Sequence, residues 1–213
     1  MAQFERLQVF QSMSRSPNAC LHALAELGNG MAVARWSNAH DARDYLAPSH
    51  HTLSCYLAGG TGTFRREQSG NKGAPDKLCI LPAEHHSAWV INGEIQLAHL
   101  YIEQEQFALG AVALLDREPR SLQLAEATFL EDTEQSARFR QLCTLDWQEP
   151  GERLLSAICW QRLLIATRLC ENLRLCIATA QSCAHSFLPR GFVDAPGYPP
   201  TPPGRLALGI RRR

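Results

Sequence analysis

Short apolar runs separated by glycine and proline turns dominate the stretch from 50 to 102. Strands this short and this closely spaced predict a sandwich or barrel rather than a parallel sheet. Asn92-Gly93 is a dipeptide favoured in two-residue hairpins, so it predicts a turn between two of the strands. The predicted strands cover 30–36, 51–57, 63–67, 78–81, 86–91 and 95–102.

Alternation within 51–57 predicts which side chains share a face, because successive strand residues point to opposite sides. The run 78–81 is apolar throughout, which predicts a strand covered on both sides. The two faces of the 51–57 strand carry His51, Leu53, Cys55 and Leu57 on one side, and Thr52, Ser54 and Tyr56 on the other.

Helical periodicity flanks this strand region. Over 16–28, leucines recur at every third position and Gly28 offers a stop, which together predict a helix. Strands followed by helices predict an α+β domain. Past residue 102, helices are predicted over 103–115, over 132–145 with Phe139 and Leu142 on one side, and over 152–176.

The last 28 residues differ in composition from everything before them, because they hold six of the twelve prolines and the single acidic residue Asp194. Such a segment has no core-forming period and is expected to be disordered. The helical pattern changes abruptly to a segment rich in proline, glycine and arginine, and this change indicates an altered reading frame. An authentic flexible basic tail is the alternative.

Composition narrows the class of protein. The chain has 213 residues, 45% of them hydrophobic, and a formal net charge of zero. A neutral balance argues against a whole-chain nucleic-acid binder, which needs clustered Lys and Arg. The sequence has neither an apolar run of 18 residues nor the charged-then-apolar pattern of a signal peptide. The chain is therefore expected to be cytoplasmic with no membrane partner. The eight cysteines lack a CxxC pair and are interpreted as buried thiols.

Several segments, in this order, resemble the N-terminal sensor half of AraC-type bacterial transcription regulators. The similarity lies in their order and spacing and extends over roughly 1–170. The segments are HTLSCYLAGG at 51–60, Arg65 and Arg66, LCILPAEHHSAW at 78–89, AHLYI at 98–102 and FLEDTEQSARFRQLCTLDWQEPGERLL at 129–155.

The resemblance implies a cupin-like antiparallel β-barrel that binds a small effector, followed by a helical segment used in dimerisation. The corresponding regions are 1–102 for the barrel, 103–176 for the helices and 177–213 for the disordered or frame-altered tail. The family also implies two helix-turn-helix motifs that read DNA. No such pair of motifs follows residue 170, so DNA binding is expected only if that domain were present.

The histidine pattern does not fit a metal site of the cupin type. Metal-binding cupins present an HxH pair followed by Glu, since residues two apart on a strand can share one ion. His50-His51 and His85-His86 are adjacent instead, so each pair points to opposite faces. We therefore expect no metal and no cofactor.

Four residues are the candidate ligand contacts. Small-molecule pockets are mostly apolar with a few polar groups that fix orientation. Residues of the strand pattern that fit this description are His51, Trp89, His99 and Tyr101, although packing within the sheet would explain each of them as well. Arg65 and Arg66 could pair with a carboxylate or could simply be solvated.

The sequence therefore predicts the effector-sensing and dimerisation module of an AraC-type regulator, truncated before a DNA-reading domain. Its expected partners are a small-molecule effector and a second copy of the chain. An enzyme is not expected, because the chain has neither a GxSxG elbow nor a phosphate-binding GxxxxGK[ST] loop. The alternative is a small cupin-type metalloenzyme acting on a sugar or related metabolite.

Overall fold

A computed structural model describes residues 3–115, 118 and 124–151 of the chain. These residues form seven strands and three α-helices. Short 3₁₀ turns at Gln3–Arg6 and Arg66–Gln68 complete the secondary structure. The helices are α1 (Gln8–Ser14), α2 (Gln104–Leu115) and α3 (Thr133–Leu142). The strands are β1 (Ala19–Gly28), β2 (Met31–Tyr45), β3 (His50–Gly59), β4 (Thr63–Arg65), β5 (Lys77–Leu81), β6 (Ser87–Glu103) and β7 (Ala127–Glu131).

All seven strands belong to one antiparallel sheet, which confirms the α+β class. The strand order is β1-β2-β6-β3-β5-β7, and β4 pairs with β6 beside β3. Long β6 pairs with β2 along its whole length, with β3 through its second half and with β4 through its first half. Strands β1 and β7 form the two edges and do not pair with each other in the described part. The sheet therefore curls into a sandwich, and the barrel that we expected is not closed.

The predicted hairpin at Asn92-Gly93 is wrong, because β6 continues through this dipeptide without reversing direction. The register against β2 skips between Ala39 and Asp41, opposite the dipeptide. Gly93 has a φ of +93°, which a residue without a Cβ adopts at low cost. Since β2 continues as a partner on both sides, the glycine forms a bulge that bends β6 instead of reversing the chain.

The predicted helix over 16–28 is also wrong, since this segment forms strand β1. Strand β1 pairs with β2, whose 15 residues extend well past the predicted 30–36. Its buried residues, Ala25 and Leu27, lie two apart, whereas Leu21 is 40% exposed. Pairing with β2 therefore determines the structure of this segment, and leucines three residues apart do not produce a helix here.

The two faces predicted for β3 pack into two different cores. Leu53 and Cys55 are buried in the first core, beneath α2 and α3, together with Phe107 and Phe139. Tyr56 belongs to the second core, which lies inside the curled sheet and includes Trp36 and Trp89. Strand β5 divides in the same way, with Leu78 and Ile80 in the first core and Cys79 and Leu81 in the second. The predictions for both strands are confirmed.

Helices α2 and α3 lie where the periodicity predicts them. The Asp132 carboxylate caps α3 by accepting a 3.0 Å hydrogen bond from the Gln135 amide. Phe139 and Leu142 are buried on one side, as predicted. Helix α1 and strand β7 were not predicted. The helix expected over 152–176 and the tail 177–213 lie outside the described residues.

None of the helices in the described ranges has the length and apolar character needed to span a bilayer.

Candidate functional site

The second core encloses a small cavity beside His99. Its volume is about 30 Å³, about a tenth of the volume at the lower end of the range for small-molecule pockets. No charged side chain lines it among the described residues. The wall consists of Met13, Tyr45, Ser54, Tyr56, Thr63, Cys79, Leu81, Trp89, Ile91, Ile95, Leu97 and His99.

Two hydroxyl groups in the wall have no hydrogen-bond partner. Ser54 and Thr63 are 3% and 1% exposed, and neither Ser54 Oγ nor Thr63 Oγ1 is hydrogen-bonded. A buried hydroxyl without a partner costs roughly 1–3 kcal/mol. Ser54 lies directly opposite His99 in the β3–β6 register, so a hydroxyl and an imidazole face the cavity side by side. The cavity wall is therefore mostly apolar, with a few polar groups that lack hydrogen-bond partners.

A chain of hydrogen bonds fixes the orientation of His99. Trp36 Nε1 donates to the Tyr101 hydroxyl over 3.1 Å, and this hydroxyl lies 3.1 Å from His99 Nδ1. The hydroxyl proton of Tyr101 has His99 Nδ1 as its acceptor, since the Trp36 indole can only donate. Neutral His99 then carries its proton on Nε2 and remains a donor for a group in the cavity.

Burial keeps this histidine neutral. It lowers the pKa of His99 to about 3, and His50 nearby adds a smaller effect in the same direction. Burial also lowers the pKa values of His50 and His51 to about 4. The site therefore presents uncharged donors and acceptors near neutral pH.

The four predicted ligand residues do not all meet. Trp89 and His99 line the cavity, and Tyr101 lies behind His99 as its hydrogen-bond partner. His51 points to the other face of β3, where its ring packs against Phe107 at 4.8 Å between centroids. Its Nδ1 accepts a 2.9 Å hydrogen bond from the Ala83 amide. His51 is thus separated from the other three by the sheet.

Sequence reasoning missed several wall residues. Ser54 and Tyr56 stand on the face of β3 that we had assigned to the side opposite His51, and this parity was the available signal. Thr63 comes from β4, whose registry against β6 was not predictable. Met13 reaches the cavity from α1, a helix that the pattern did not reveal.

Helix α1 closes the cavity from one side. Leu7, Val9 and Met13 are buried at 1% exposure or less. Phe10 packs against Trp36 and Tyr101, with ring centroids 5.3 and 6.0 Å away. The N-terminal segment is therefore an integral part of the second core, and the His99 support chain lies directly beneath it.

Arg65 and Arg66 both pair with carboxylates. Arg65 is 8% exposed, forms ion pairs with Glu67 and Glu126, and donates to the His86 carbonyl over 2.7 Å. Arg66 forms a 3.4 Å ion pair with Asp44. Arg65 thus joins β4 to the segment before β7, away from the cavity wall.

His50 and His51 point apart, as expected from strand geometry, whereas His85 and His86 precede β6 and do not lie on a strand. His50 Nδ1 lies 3.1 Å from the Gln8 side-chain oxygen, whereas His51 faces Phe107. Across 3–115, 118 and 124–151, no three His, Cys, Asp or Glu side chains come together in a way that could hold a metal ion.

Comparisons with known proteins give similarity at the level of architecture. No family model matches the chain, and no curated protein sequence does either. Similar solved structures include a Ralstonia eutropha protein with a cupin-like fold (13% identity, TM-score 0.36), which covers 43% of this chain and 59% of that one. The match thus spans less than two thirds of that structure.

Two further structures carry functional names. One is an HTH_3 family transcriptional regulator from Vibrio cholerae (14% identity, TM-score 0.35, covering 43% of this chain and 56% of that one). The other is a candidate mannose-6-phosphate isomerase from Ralstonia eutropha (13% identity, TM-score 0.34, covering 42% and 88%). A regulator and an isomerase together do not distinguish sensing from catalysis, and no functional argument rests on these similarities.

Proposed function

We propose that the chain is an effector-sensing module in which a small molecule binds inside the curled sheet beside His99. The observation that carries this proposal is the pair of unpartnered hydroxyls, Ser54 and Thr63, in the wall of an apolar cavity. Buried polar groups are normally hydrogen-bonded. A ligand that pairs with these hydroxyls would offset the cost of burying them.

The site favours an uncharged ligand with hydrogen-bonding groups. No Asp, Glu, Lys or Arg lies in the described cavity wall, and burying an unpaired charge is expensive. Nε2 of His99 supplies a donor, and the hydroxyls of Ser54 and Thr63 can donate or accept. Trp89 and Tyr56 supply aromatic surface. Sugars, polyols and small phenols have this chemistry.

Ligand entry would require the cavity to enlarge, because about 30 Å³ is far below the roughly 300–1,000 Å³ that small-molecule pockets occupy. The mobile wall in this proposal is α1, whose Met13 side chain occupies one side. A ligand that favours the enlarged state would shift the population toward a displaced N-terminal segment. Displacement of α1 is the signal that the rest of an AraC-type regulator would read.

We further propose that the module works as a homodimer and reaches DNA only through a helix-turn-helix domain. The AraC-type resemblance and the predicted helix over 152–176 support the dimer. Light scattering coupled to size-exclusion chromatography at micromolar concentration tests it directly. A dimer mass supports the proposal, and a monomer mass at every concentration contradicts it.

A thermal-shift screen with uncharged metabolites tests ligand binding in the cavity. Hits are then measured against Ser54→Ala, Thr63→Val and the matched control Thr52→Val. Thr52 Oγ1 is also buried and unpartnered, but Thr52 does not line the cavity. We expect the first two variants to weaken binding about tenfold, as expected for loss of one buried hydrogen bond. Equal effects of all three variants would contradict the proposed site.

A further inference from the structure

Helix α1 is tied to the sheet at its C-terminal end by charged groups. The Asp41 carboxylate accepts a hydrogen bond from the Ser16 hydroxyl over 2.6 Å and pairs with Arg43 over 2.8 Å. Arg43 also donates to the Ser12 carbonyl over 3.1 Å. Hydrogen bonds with an ionised partner are roughly twice as strong as neutral ones, and from this end the chain continues into β1. The C-terminal end is therefore the fixed end of α1.

The N-terminal end of α1 is held to the sheet by one neutral side chain. Gln8 Oε1 accepts from the Ser49 amide over 3.2 Å, and it lies 3.3 Å from the Ser49 hydroxyl and 3.1 Å from His50 Nδ1. An amide oxygen has two lone pairs, so three neutral donors share one acceptor. We call this contact between Gln8, Ser49 and His50 the Gln8 latch. It is weaker than the charged contacts at the other end.

His50 is the buried member of the Gln8 latch. It is 1% exposed, and its ring lies against Tyr101 with 5.9 Å between centroids. Phe10 of α1 packs on the same tyrosine at 6.0 Å. Because Gln8 Oε1 can only accept, Nδ1 of His50 carries the proton. Nε2 is then an acceptor that is buried without a hydrogen-bond partner.

We propose that α1 is a proton-linked lid over the second core, which opens at the Gln8 latch, pivots at its Ser16 end and takes up a proton on His50 Nε2 when open. In the closed state a proton on Nε2 would be a buried charge without a partner, which is costly. In the open state water reaches the imidazole and solvates that charge. Acid therefore favours the open lid.

The lid deepens the sensor proposal and rests on it in one respect. Met13 of α1 forms part of the wall beside His99, so opening α1 enlarges the proposed ligand site. The opening itself is measured without a ligand. Failure of the lid and failure of the ligand site are therefore separate results.

The size of the pH effect follows from the two states of His50. Burial lowers its pKa from 6.5 to about 4 in the closed state, and His51 adds a smaller effect in the same direction. A solvated imidazole has a pKa of about 6.5. The closed lid is thus fully favoured above pH 6.5 and loses its advantage as the pH falls toward 4. Between pH 7.5 and pH 5.5 the opening equilibrium should rise about tenfold.

Titratable and charged groups on several elements surround His50. Only imidazoles ordinarily change charge between pH 5.5 and pH 7.5, so a test must separate His50 from the two other histidines. His51 points to the other face of β3, against Phe107. His99 lies beside Met13, toward the fixed end of α1. The surrounding groups are Arg6, His51, His99, Tyr101, Glu103 and Glu105.

Amide hydrogen exchange of the full chain, followed by NMR without ligand at pH 7.5 and pH 5.5, tests the lid. The reporters are the amides of Gln11 and Arg15, which donate to the Leu7 and Gln11 carbonyls within α1. After correction for intrinsic exchange rates, we expect their protection to fall about tenfold. Amides between β2 and β6 report global unfolding, which releases all three buried histidines, so their protection should be higher and fall more steeply. Protection in α1 that ignores pH, or that equals that of β2 and β6, would overturn the proposal.

Three variants assign the proton and the contact. His50→Gln keeps an N–H donor for Gln8 but does not titrate, so it should abolish the pH dependence of α1 protection. His99→Gln should leave that dependence in place. Gln8→Ala should lower α1 protection at pH 7.5 about tenfold, the effect of losing one hydrogen bond, while protection between β2 and β6 shows that the fold is kept. A pH dependence that survives His50→Gln, or that His99→Gln removes, would contradict the lid.

Discussion

His99 Nδ1 and the Tyr101 hydroxyl lie 3.1 Å apart in the second core, two residues from each other on β6. The same hydroxyl accepts from the Trp36 indole, so one oxygen satisfies two buried groups. This arrangement holds His99 with its Nε2 proton available to the cavity.

Tyr101→Phe should destabilise the fold by roughly 2–4 kcal/mol, because the Trp36 indole and His99 Nδ1 both lose their partner. Urea unfolding measures the change. Tyr45→Phe is the matched control, since Tyr45 is also buried in this core and no hydrogen bond involves its hydroxyl within the described residues. Its effect should stay below about 1 kcal/mol. Similar losses in both variants would show that the shared hydroxyl has no special role.

Ser54→Ala and Thr63→Val should raise the free energy of unfolding by about 1 kcal/mol each. The reason is that each variant removes a buried hydroxyl that has no partner. Thermal and urea unfolding of the ligand-free protein measure the gain. If both variants are instead less stable than the unmodified protein, the two hydroxyls have hydrogen-bond partners in the native protein. The observation on which the sensor proposal rests is then wrong.

Acid should destabilise the protein well before its carboxylates titrate. Burial lowers the pKa values of His50, His51 and His99 from 6.5 to about 4, about 4 and about 3. Below pH 6.5 the unfolded chain takes up protons at these histidines and the folded chain does not. The stability that the neutral histidines contribute is therefore fully present above pH 6.5 and is lost as the pH falls toward 3.

Each histidine contributes up to about 1.4 kcal/mol per pH unit to this slope. Urea unfolding between pH 7 and pH 4 measures it. His99→Gln should flatten the slope, whereas exposed His86→Gln should leave it unchanged. A pH-independent unfolding free energy over this interval would mean that the three imidazoles are accessible to protons in the folded state.

The neighbouring arginines should differ in their structural importance. Arg65→Gln should cost roughly 1–3 kcal/mol, since a buried guanidinium that joins three segments loses its ion pairs and its bond to the His86 carbonyl. Arg66→Gln should cost less than about 1 kcal/mol, because its pair with Asp44 is exposed. Paired urea titrations give both values. Equal losses would contradict the assignment of Arg65 as the link between β4 and the segment before β7.

Local alternation was sufficient to predict the faces of β3 and the buried nature of β5. It failed at β1, where leucines three apart imitate a helix, and at Gly93, where a bulge takes the place of a turn. In both cases the long-range partner β2 decides the outcome, and pairing between distant segments is not encoded in the local pattern.

The candidate site was predicted in part for the same reason. Trp89 and His99 belong to β6, and their strand pattern marked them. The side of the sheet that encloses the cavity depends on how the whole sheet curls, so His51 was placed with residues that lie on the other face. Met13 enters from a short helix without a sequence signal.

The most direct test of the sensor proposal is methyl NMR on protein labelled at its three methionines. Met13 lines the His99 cavity, and Met31 is equally buried in the first core. Titration with uncharged metabolites from the thermal-shift screen should shift the Met13 methyl resonance in a saturable way and leave that of Met31 unchanged. Hits that move neither resonance, or both equally, would contradict binding in the cavity beside His99.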